Sequence, residues 1–442
     1  TVSVIGAGLA GAEAAWILAK QGFCVRLHEM KPQKFSPAHS NADFAELVCS
    51  NSFKSNEIAS AAGLLKAEMR LLGSLVLEAA ETAKVSAGGA LAVDRKAFSR
   101  EITRQIRRNP NIEIISGEVT EFPDKNAVIA TGPLTSDKFA ESIKKAVSNA
   151  GGGSPLHFYD AAAPIVTLES VDLNTAFFGN RYGKDGADYL NCPMNEQEYD
   201  KFYNALVDAQ CAPLHDFDLK VYEGCMPVEI LAKRGRDSIR YGCMKPVGFT
   251  DPRTGKRPYA LVQLRPENDK QTLFNIVGFQ TNLKFGEQER VFRLIPGLES
   301  AEFMRYGVMH RNTFLDSPRV LDSSFMLKGS DNIYFAGQIT GTEGYAESAA
   351  GGIIAGLSLA RKMKELPPFE LPETTITGAL SRYISDKSVT NFQPLGANMG
   401  LLPPVCARAG GVRPKNKRER YAALAERALH DLKTTLRFQE KD

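Results

Sequence analysis

The opening run "TVSVIGAGLAGAEAAWILAKQGFCVRLHE" constrains the fold of this chain more than any other stretch. A short β-rich segment leads into Gly6, Gly8 and Gly11, spaced G-x-G-x-x-G. A helix-forming stretch follows, stops at Gly22, and gives way to the alternating run "FCVRLHE". Strand, glycine turn, helix and strand in this order form the βαβ unit that binds dinucleotides. The first glycine permits the tight turn, the second lets backbone approach a pyrophosphate, and the third lets helix and strand pack closely. The helix N-terminus supplies N–H groups to the phosphates. Glu29, 18 positions after Gly11, closes the second strand, where a carboxylate accepts ribose hydroxyls. The glycines alone carry little weight; in this context, with the acid in place, they predict a dinucleotide site on a parallel sheet.

From Ile58 to Ala83 the chain is rich in Ala, Leu, Glu and Met and reads as helical. "VDRKAFSREITRQIRRN" predicts another helix, with Asp94 as its N-cap, and "IEIIS" and "NAVIATG" predict two strands. Between roughly 160 and 300 the character changes to short β-type runs ("SIRYGCM", "YALVQL", "LFNIVGF") separated by Pro/Gly turns. "NIYFAGQITGTEGYAESAAGGIIAGLSLARKM" then returns to strand, loop and helix, and the proline-rich "ELPPFELPETT" leads into a helical end piece. The expected architecture is α/β. A cofactor domain at 1–160 and 301–365 is interrupted by an α+β insertion at 161–300 that carries substrate contacts, and 366–442 form a linker and a basic helical C-terminal segment.

A chain of 442 residues exceeds what one compact core usually uses, which agrees with several domains. No apolar run approaches the ~20 residues that span a bilayer, and no signal peptide is visible, so a cytoplasmic protein without a membrane partner is expected. The seven cysteines lie no closer than 14 positions apart, which excludes C-x-x-C metal or redox motifs and fits free thiols. No metal site is predicted. The net charge of +3 hides an asymmetry: residues 408–442 carry +5 and the remainder −2. Such a tail either binds phosphates or is a solvated helix, and charge alone leaves both open.

Two later segments favour FAD over NAD. "AVIATG", with Thr131 and Gly132, resembles the strand and turn that flavoproteins of the glutathione-reductase type place near the dinucleotide. "NIYFAGQ", with Gly337 and Gln338, resembles their last strand, whose end meets the flavin ribityl chain. Those enzymes usually carry Asp where this chain has Gln338, and a neutral amide still hydrogen-bonds ribityl or phosphate oxygens. A helix starting near Tyr345, Ala346 and Glu347 would point its positive end at the flavin. The expected cofactor domain is therefore a Rossmann-type, glutathione-reductase-like FAD domain.

At "GQITGTEGYAESAAGGIIAG" the chain resembles the GidA/MnmG flavoproteins, which act in wobble-uridine modification. "FAELVCSNSFKS", "AGGALAVDR", "FYDAAAPIV", "YLNCPM", "EGCMPVE", "YGCMKPVG" and "RYGVMHRNTFLDSP" resemble more closely the TrmFO family, folate- and FAD-dependent tRNA uracil-5-methyltransferases. With "GAGLAGAEAAW" and "VIATGPLTS", which resemble the same family, these motifs run from the first strand to about residue 350. The resemblance implies that a T-loop uridine of tRNA receives a methylene from 5,10-methylenetetrahydrofolate at C5. It also implies that reduced FAD supplies electrons and that NADH or NADPH reduces the flavin. Protein partners are not implied.

That chemistry needs a thiolate, because uracil C5 is a poor nucleophile until something adds to C6. By the resemblance, Cys49 in "LVCSN" and Cys225 in "EGCMP" match the family's two functional cysteines. Cys225 is assigned as the C6 nucleophile and Cys49 as the thiol near the flavin, while Tyr345 matches a tyrosine that covers the isoalloxazine. Read without the family, Cys49 is equally an inert small hydrophobe near a loop. Cys24, inside a predicted strand, is expected in the core, and Cys192, Cys211, Cys243 and Cys406 are left structural. His310 and Arg311, and the basic residues of "AKRGRDSIRYG" and "DPRTGKRP", are candidates for anion or RNA contacts. Three other readings stay open: the same chemistry on ribosomal RNA, an NAD(P)H flavin oxidoreductase without an RNA substrate, and a non-catalytic RNA-binding partner.

Overall fold

Five parallel strands form the central sheet, in the order Asp331–Phe335, Lys125–Ile129, Val2–Ile5, Val25–Glu29 and Ile112–Ser116. They belong to a computed structural model that describes residues 1–149, 156–183, 188–212, 226–268, 270–307, 309–389, 392–405 and 416–439. Val4 stands opposite both Leu27 and Val128, so Val2–Ile5 is the central strand, and the strand order reverses across it. A crevice at the carboxyl ends of the strands opens at such a switch point. Val2, Val4, Leu27 and Val128 are buried, as expected for a parallel sheet covered on both faces.

The helix Leu9–Lys20 covers one face and packs against the long helix Tyr345–Met363. The approach is close because a Cβ at Gly352 would lie 2.1 Å from the Ala10 carbonyl oxygen. The sequence-predicted helix at 95–108 begins after Asp94, whose carboxylate accepts from the amides of Lys96 and Ala97. The stretch read as one helix from Ile58 to Ala83 is two, Ala61–Leu71 and Leu75–Thr82, broken at Gly73 with φ +78°.

A second sheet is antiparallel throughout, in the order Phe177–Phe178, Leu190–Met194, Ala260–Pro266, Leu273–Ile276, Ile165–Thr167 and Phe303–Arg305. The helices Glu196–Val207 and Phe285–Phe292 cover it, burying Tyr199, Phe202, Phe279 and Phe292. The ribbon Leu156–Ala161 with Met309–Phe314 lies between the two sheets in sequence. A small third sheet pairs Ser52–Ser55 with Ala90–Val93 and Lys84–Val85. The final helix, Lys417–Gln439, is not a free tail: Leu424, Ala425, Ala428 and Leu432 are buried, and it packs on Ala61–Leu71. No described helix is long and apolar enough to cross a membrane.

Two expectations are corrected. "SIRYGCM" is not a strand; Arg236–Arg240 is a short helix followed by a turn, and the Arg240 guanidinium lies over Tyr259, 3.8 Å from the ring centroid. Cys24 is exposed, because the strand begins at Val25 and the period-2 alternation puts Val25, Leu27 and Glu29 inward.

Two buried carboxylates cap helices that are not their own. Glu13 accepts from the Leu75 and Val76 amides and the Ser74 hydroxyl, at the start of Leu75–Thr82. Glu68 accepts from the Ile376 and Thr377 amides and the Thr377 hydroxyl, at the start of Ile376–Ser385. These bonds satisfy first-turn N–H groups that a helix leaves without partners. Burial nevertheless pushes both carboxyls up from the ordinary 4.5 to about 7. The folded state therefore holds these protons more tightly than the unfolded chain. The associated stability is complete below pH 4.5 and is lost as pH rises through 7. In Glu68→Gln that part of the slope should vanish. The stability of the wild type relative to the variant, measured by urea unfolding, should fall on the order of a few kcal/mol from pH 4.5 to 7. A constant difference across that range would show that Glu68 stays ionised in the fold.

Candidate functional site

A cleft with about 1160 Å³ of empty space runs along the carboxyl ends of the central strands. Gly6, Gly8, Glu29, Thr131, Gly132, Gly337, Gln338 and Tyr345 all line it, although they come from four separate parts of the chain. The glycine turn is built as the motif requires. Gly6 has φ +96°, and a Cβ at Gly11 would lie 1.7 Å from the Gly6 carbonyl oxygen, so Gly11 lies beneath the turn rather than in the cleft. At Gly8 and Gly132 a Cβ would meet nothing within 4 Å, so both turns face open space where a ligand backbone fits. The helix Leu9–Lys20 starts at Gly8 with no side-chain cap, and Tyr345–Met363 starts at Gly344 with none. The N-terminus of Leu9–Lys20 thus meets the cleft without a competing acceptor, which suits a ligand's phosphates, whereas Tyr345–Met363 brings Tyr345 to the cleft with the Glu347 carboxylate in its first turn, against Gly344.

Glu29 accepts from the Ala7 amide on one oxygen and from the Lys31 amide on the other, both at 2.9 Å. It therefore latches the glycine turn, and each oxygen keeps a second lone pair for a ribose hydroxyl. Lys31 is buried and ties down the following loop by donating to the carbonyls of Asn41 at 3.0 Å and Asp43 at 2.6 Å. The Gln338 amide nitrogen donates to Glu343 at 2.8 Å, which leaves its oxygen as the acceptor at the cleft. The Thr131 hydroxyl pairs with that of Thr135 at 2.6 Å. These groups fit an extended dinucleotide.

Ala346 and Glu347 do not line the cleft. Ala346 is buried, and Glu347 binds Lys54 at 3.1 Å and the Ala397 amide at 3.0 Å. Cys225 lies outside the described residues, as does Cys406, and of the His310 and Arg311 side chains nothing is described. Burial pushes the thiols of Cys192 and Cys243 up to about 12, so neither supplies a thiolate near neutral pH.

Cys49 sits in a loop beside the cleft, next to Val48, which lines it. Distant partners hold many of the polar groups of residues 47–51. The Tyr345 hydroxyl accepts from the Cys49 amide at 2.8 Å and the Ser50 amide at 2.9 Å. Arg95 donates to the Leu47 carbonyl at 2.8 Å while paired with Glu267 at 2.6 Å. Arg305 donates to the Val48 carbonyl at 3.0 Å, and Arg265 to the Ser50 hydroxyl at 2.7 Å and to Asn51 at 2.9 Å. Asn51 in turn donates to the carbonyls of Val93 and Pro266.

Arg95 and Arg305 stand inside the motifs "AGGALAVDR" and "RYGVMHRNTFLDSP", which gave neither a role, and no sequence pattern marked Arg265. Among the described residues, Glu267 is the one carboxylate that forms an ion pair within this group, and it pairs with Arg95. Burial holds the Arg265 and Arg305 guanidiniums below their usual range, and Arg95 adds repulsion to both. The Cys49 loop is therefore wrapped in excess positive charge, with Leu47 and Asn51 buried and Val48, Cys49 and Ser50 half-buried. Burial, with Cys49 nearby, also pushes the Tyr345 phenol up, so it stays protonated. The Tyr345 ring lies tilted against Phe53, 5.8 Å between centroids.

The family described as "Glucose inhibited division protein A" matches residues 1–367. A protein of Acetivibrio thermocellus, named "Methylenetetrahydrofolate--tRNA-(uracil-5-)-methyltransferase TrmFO", is 55% identical over 98% of this chain and 98% of its own. One of the same name from Lactiplantibacillus plantarum is 54% identical over 98% and 97%. Among solved structures, Aquifex aeolicus GidA superposes with a TM-score of 0.68 at 17% identity, covering 100% of this chain and 76% of that one; at this identity the likeness establishes the fold.

Replacing Tyr345 by Phe keeps the ring and removes the acceptor for two amides. Exchange of the Cys49 and Ser50 amide hydrogens should then accelerate tenfold or more, equivalent to about 1.4 kcal/mol of local stability. Unchanged exchange would mean that the arginines alone hold this loop.

Proposed function

The chain belongs to the GIDA family and, within it, to the TrmFO proteins, and on that premise we propose that it methylates a tRNA uridine at C5 with 5,10-methylenetetrahydrofolate as one-carbon donor. The observation that carries the reading is the cleft that joins the glycine turn, Glu29, Gln338 and Tyr345 beside the clamped Cys49 loop. FAD, reduced by NADH or NADPH, supplies the electrons that turn the transferred methylene into a methyl group. Glu29 would hold its ribose, the Gly8 turn its pyrophosphate, and Thr131, Gln338 and the start of Tyr345–Met363 its flavin end. The acceptor is the T-loop uridine. The activity belongs in the cytoplasm, where thiols stay reduced.

The protein's own part is to make C5 nucleophilic and to keep water away. A Cys225 thiolate adds to uracil C6, the ring electrons move to an enolate, and C5 attacks the methylene carbon. Loss of the C5 proton would let the donor nitrogen leave with the electron pair of its bond to that carbon, giving an exocyclic methylene; hydride addition to this carbon with departure of the Cys225 thiolate would then restore the ring as 5-methyluracil. Cys49 serves on the flavin side, in a loop whose guanidiniums stabilise negative charge and whose packing limits water.

The first test incubates the protein with FAD, NAD(P)H, unmodified tRNA and methylenetetrahydrofolate labelled in the methylene carbon. Label should appear in 5-methyluridine of intact tRNA and be absent when the T-loop uridine is replaced. Label in a ribosomal fragment alone would keep the chemistry and change the substrate. Brisk NAD(P)H oxidation with no label would leave an oxidoreductase.

A T-arm hairpin carrying 5-fluorouridine tests the division between the thiols, because fluorine at C5 blocks proton loss and traps the thiol adduct. The adduct should form with Cys49→Ala and be lost with Cys225→Ala. The opposite pattern would make Cys49 the nucleophile.

A further inference from the structure

One face of the antiparallel unit combines charge and exposed rings in a way the cleft does not explain. Residues 233–257 contain eight Lys or Arg against Asp237 and Asp251, a net +6 in a chain whose total is +3. Lys233, Lys245, Lys256 and Arg257 are exposed, and none has an ion-pair partner among the described residues. The segment folds on itself as one surface: Leu261 donates to the Met244 carbonyl, Asp251 to the Lys256 carbonyl, and Arg240 to the Tyr259 carbonyl. None of these residues lines the cleft.

Rings stand among these charges. Tyr241 is 57% exposed and lies against Arg240, whose guanidinium is 4.9 Å from its ring centroid. Tyr182 is 68% exposed and has φ +64°, a conformation that costs a tyrosine free energy and is not offset by burial. The conformation is built in. The Tyr182 amide donates to the Gly248 carbonyl at 2.7 Å, and Gly248 has no side chain where a Cβ would come within 2.9 Å of the Tyr182 ring. Arg181 fastens the same loop by donating to the carbonyls of Lys245 and Val247 while lying over Phe249. The fold thus holds Tyr182 against the loop that carries Lys245, with most of its ring in solvent.

Unpaired lysines beside rigid exposed rings match a polyanion with flat bases. Lysine is depleted at protein–protein interfaces, whereas phosphate binding and base stacking use this combination. We propose that this face docks the substrate RNA, with backbone phosphates on Lys245, Lys256 and Arg257 and unstacked bases on Tyr182 and Tyr241. It rests on the tRNA reading above, and it supplies a hold on the RNA separate from the cleft where the uridine reacts.

The test uses the full-length FAD-loaded protein. Binding to a T-arm hairpin is measured across a salt series, and methyl transfer to tRNA is measured separately. For Lys245→Ala/Lys256→Ala/Arg257→Ala, the log–log salt slope should fall by about 2–3, at roughly 0.7–0.9 for each phosphate left without its cation. Affinity should drop accordingly, and the KM for tRNA should rise. Tyr182→Leu/Tyr241→Leu should weaken binding about tenfold or more with the slope unchanged, because stacking carries no counterion release. Flavin absorbance and NAD(P)H oxidation should match the wild type in both variants, which shows that the fold and the cleft are intact.

Wild-type slope and affinity in both variants, with normal methyl transfer, would overturn this face and leave the tRNA reading standing. Loss of hairpin binding in the variants, with no methyl transfer even by the wild type, would keep the face and overturn the reaction. A wild type that neither binds nor methylates would overturn both.

Discussion

The structure depends on how closely two helices approach. Gly352 and Gly356 of Tyr345–Met363 lie on the backbone of the first helix at Ala10 and Ala14, where a Cβ would come within 2.1 Å and 3.2 Å of their carbonyl oxygens. Small residues on both sides let the two backbones meet without side chains between them. Because the late helix rests there, Asp331–Phe335 joins Lys125–Ile129 at the edge of the parallel sheet. Gly337, Gln338 and Tyr345 then arrive opposite Gly8 and Glu29. Separate the helices, and the cleft loses one of its walls.

The same late helix organises the loop that carries Cys49. Tyr345 begins it and holds the Cys49 and Ser50 amides, while Arg265 and Arg305 reach the loop from the antiparallel sheet. One loop is therefore fixed by both units of the protein. This arrangement places excess guanidinium charge around residues 47–51, where neutral carbonyls and hydroxyls take up the donors and Glu267 neutralises one of the three arginines. Buried cations without counter-ions cost stability. Their place beside a cysteine is intelligible if negative charge develops there during the reaction. The exposed basic face of residues 233–257 differs in kind, since its charges stay hydrated and act on an approaching polyanion.

Much of this was legible in the sequence, for local reasons. The glycine spacing, the Asp94 cap and the runs "IEIIS", "NAVIATG" and "NIYFAGQ" each specify backbone conformation within a few residues, and the elements form where these signals lie. Where the reading failed, a contact from elsewhere decided. Arg236–Arg240 is helical, with Arg240 stacked on Tyr259, which only the folded chain brings near. Cys24 faces solvent because sheet register, not composition, chose the inward side of the strand.

By itself the sequence determined that a dinucleotide fold would form and which family's chemistry it would serve, because glycine geometry and motif residues act at short range. The tertiary structure alone decided that Arg95, Arg265 and Arg305 converge on Cys49, since one arginine in a helix or strand carries no local signal of its partner. It turned Glu347 to Lys54 and away from the cleft, and made Glu13 and Glu68 the caps of distant helices. These are interactions between residues far apart in the chain, and their energies depend on burial, which exists only once the chain has folded.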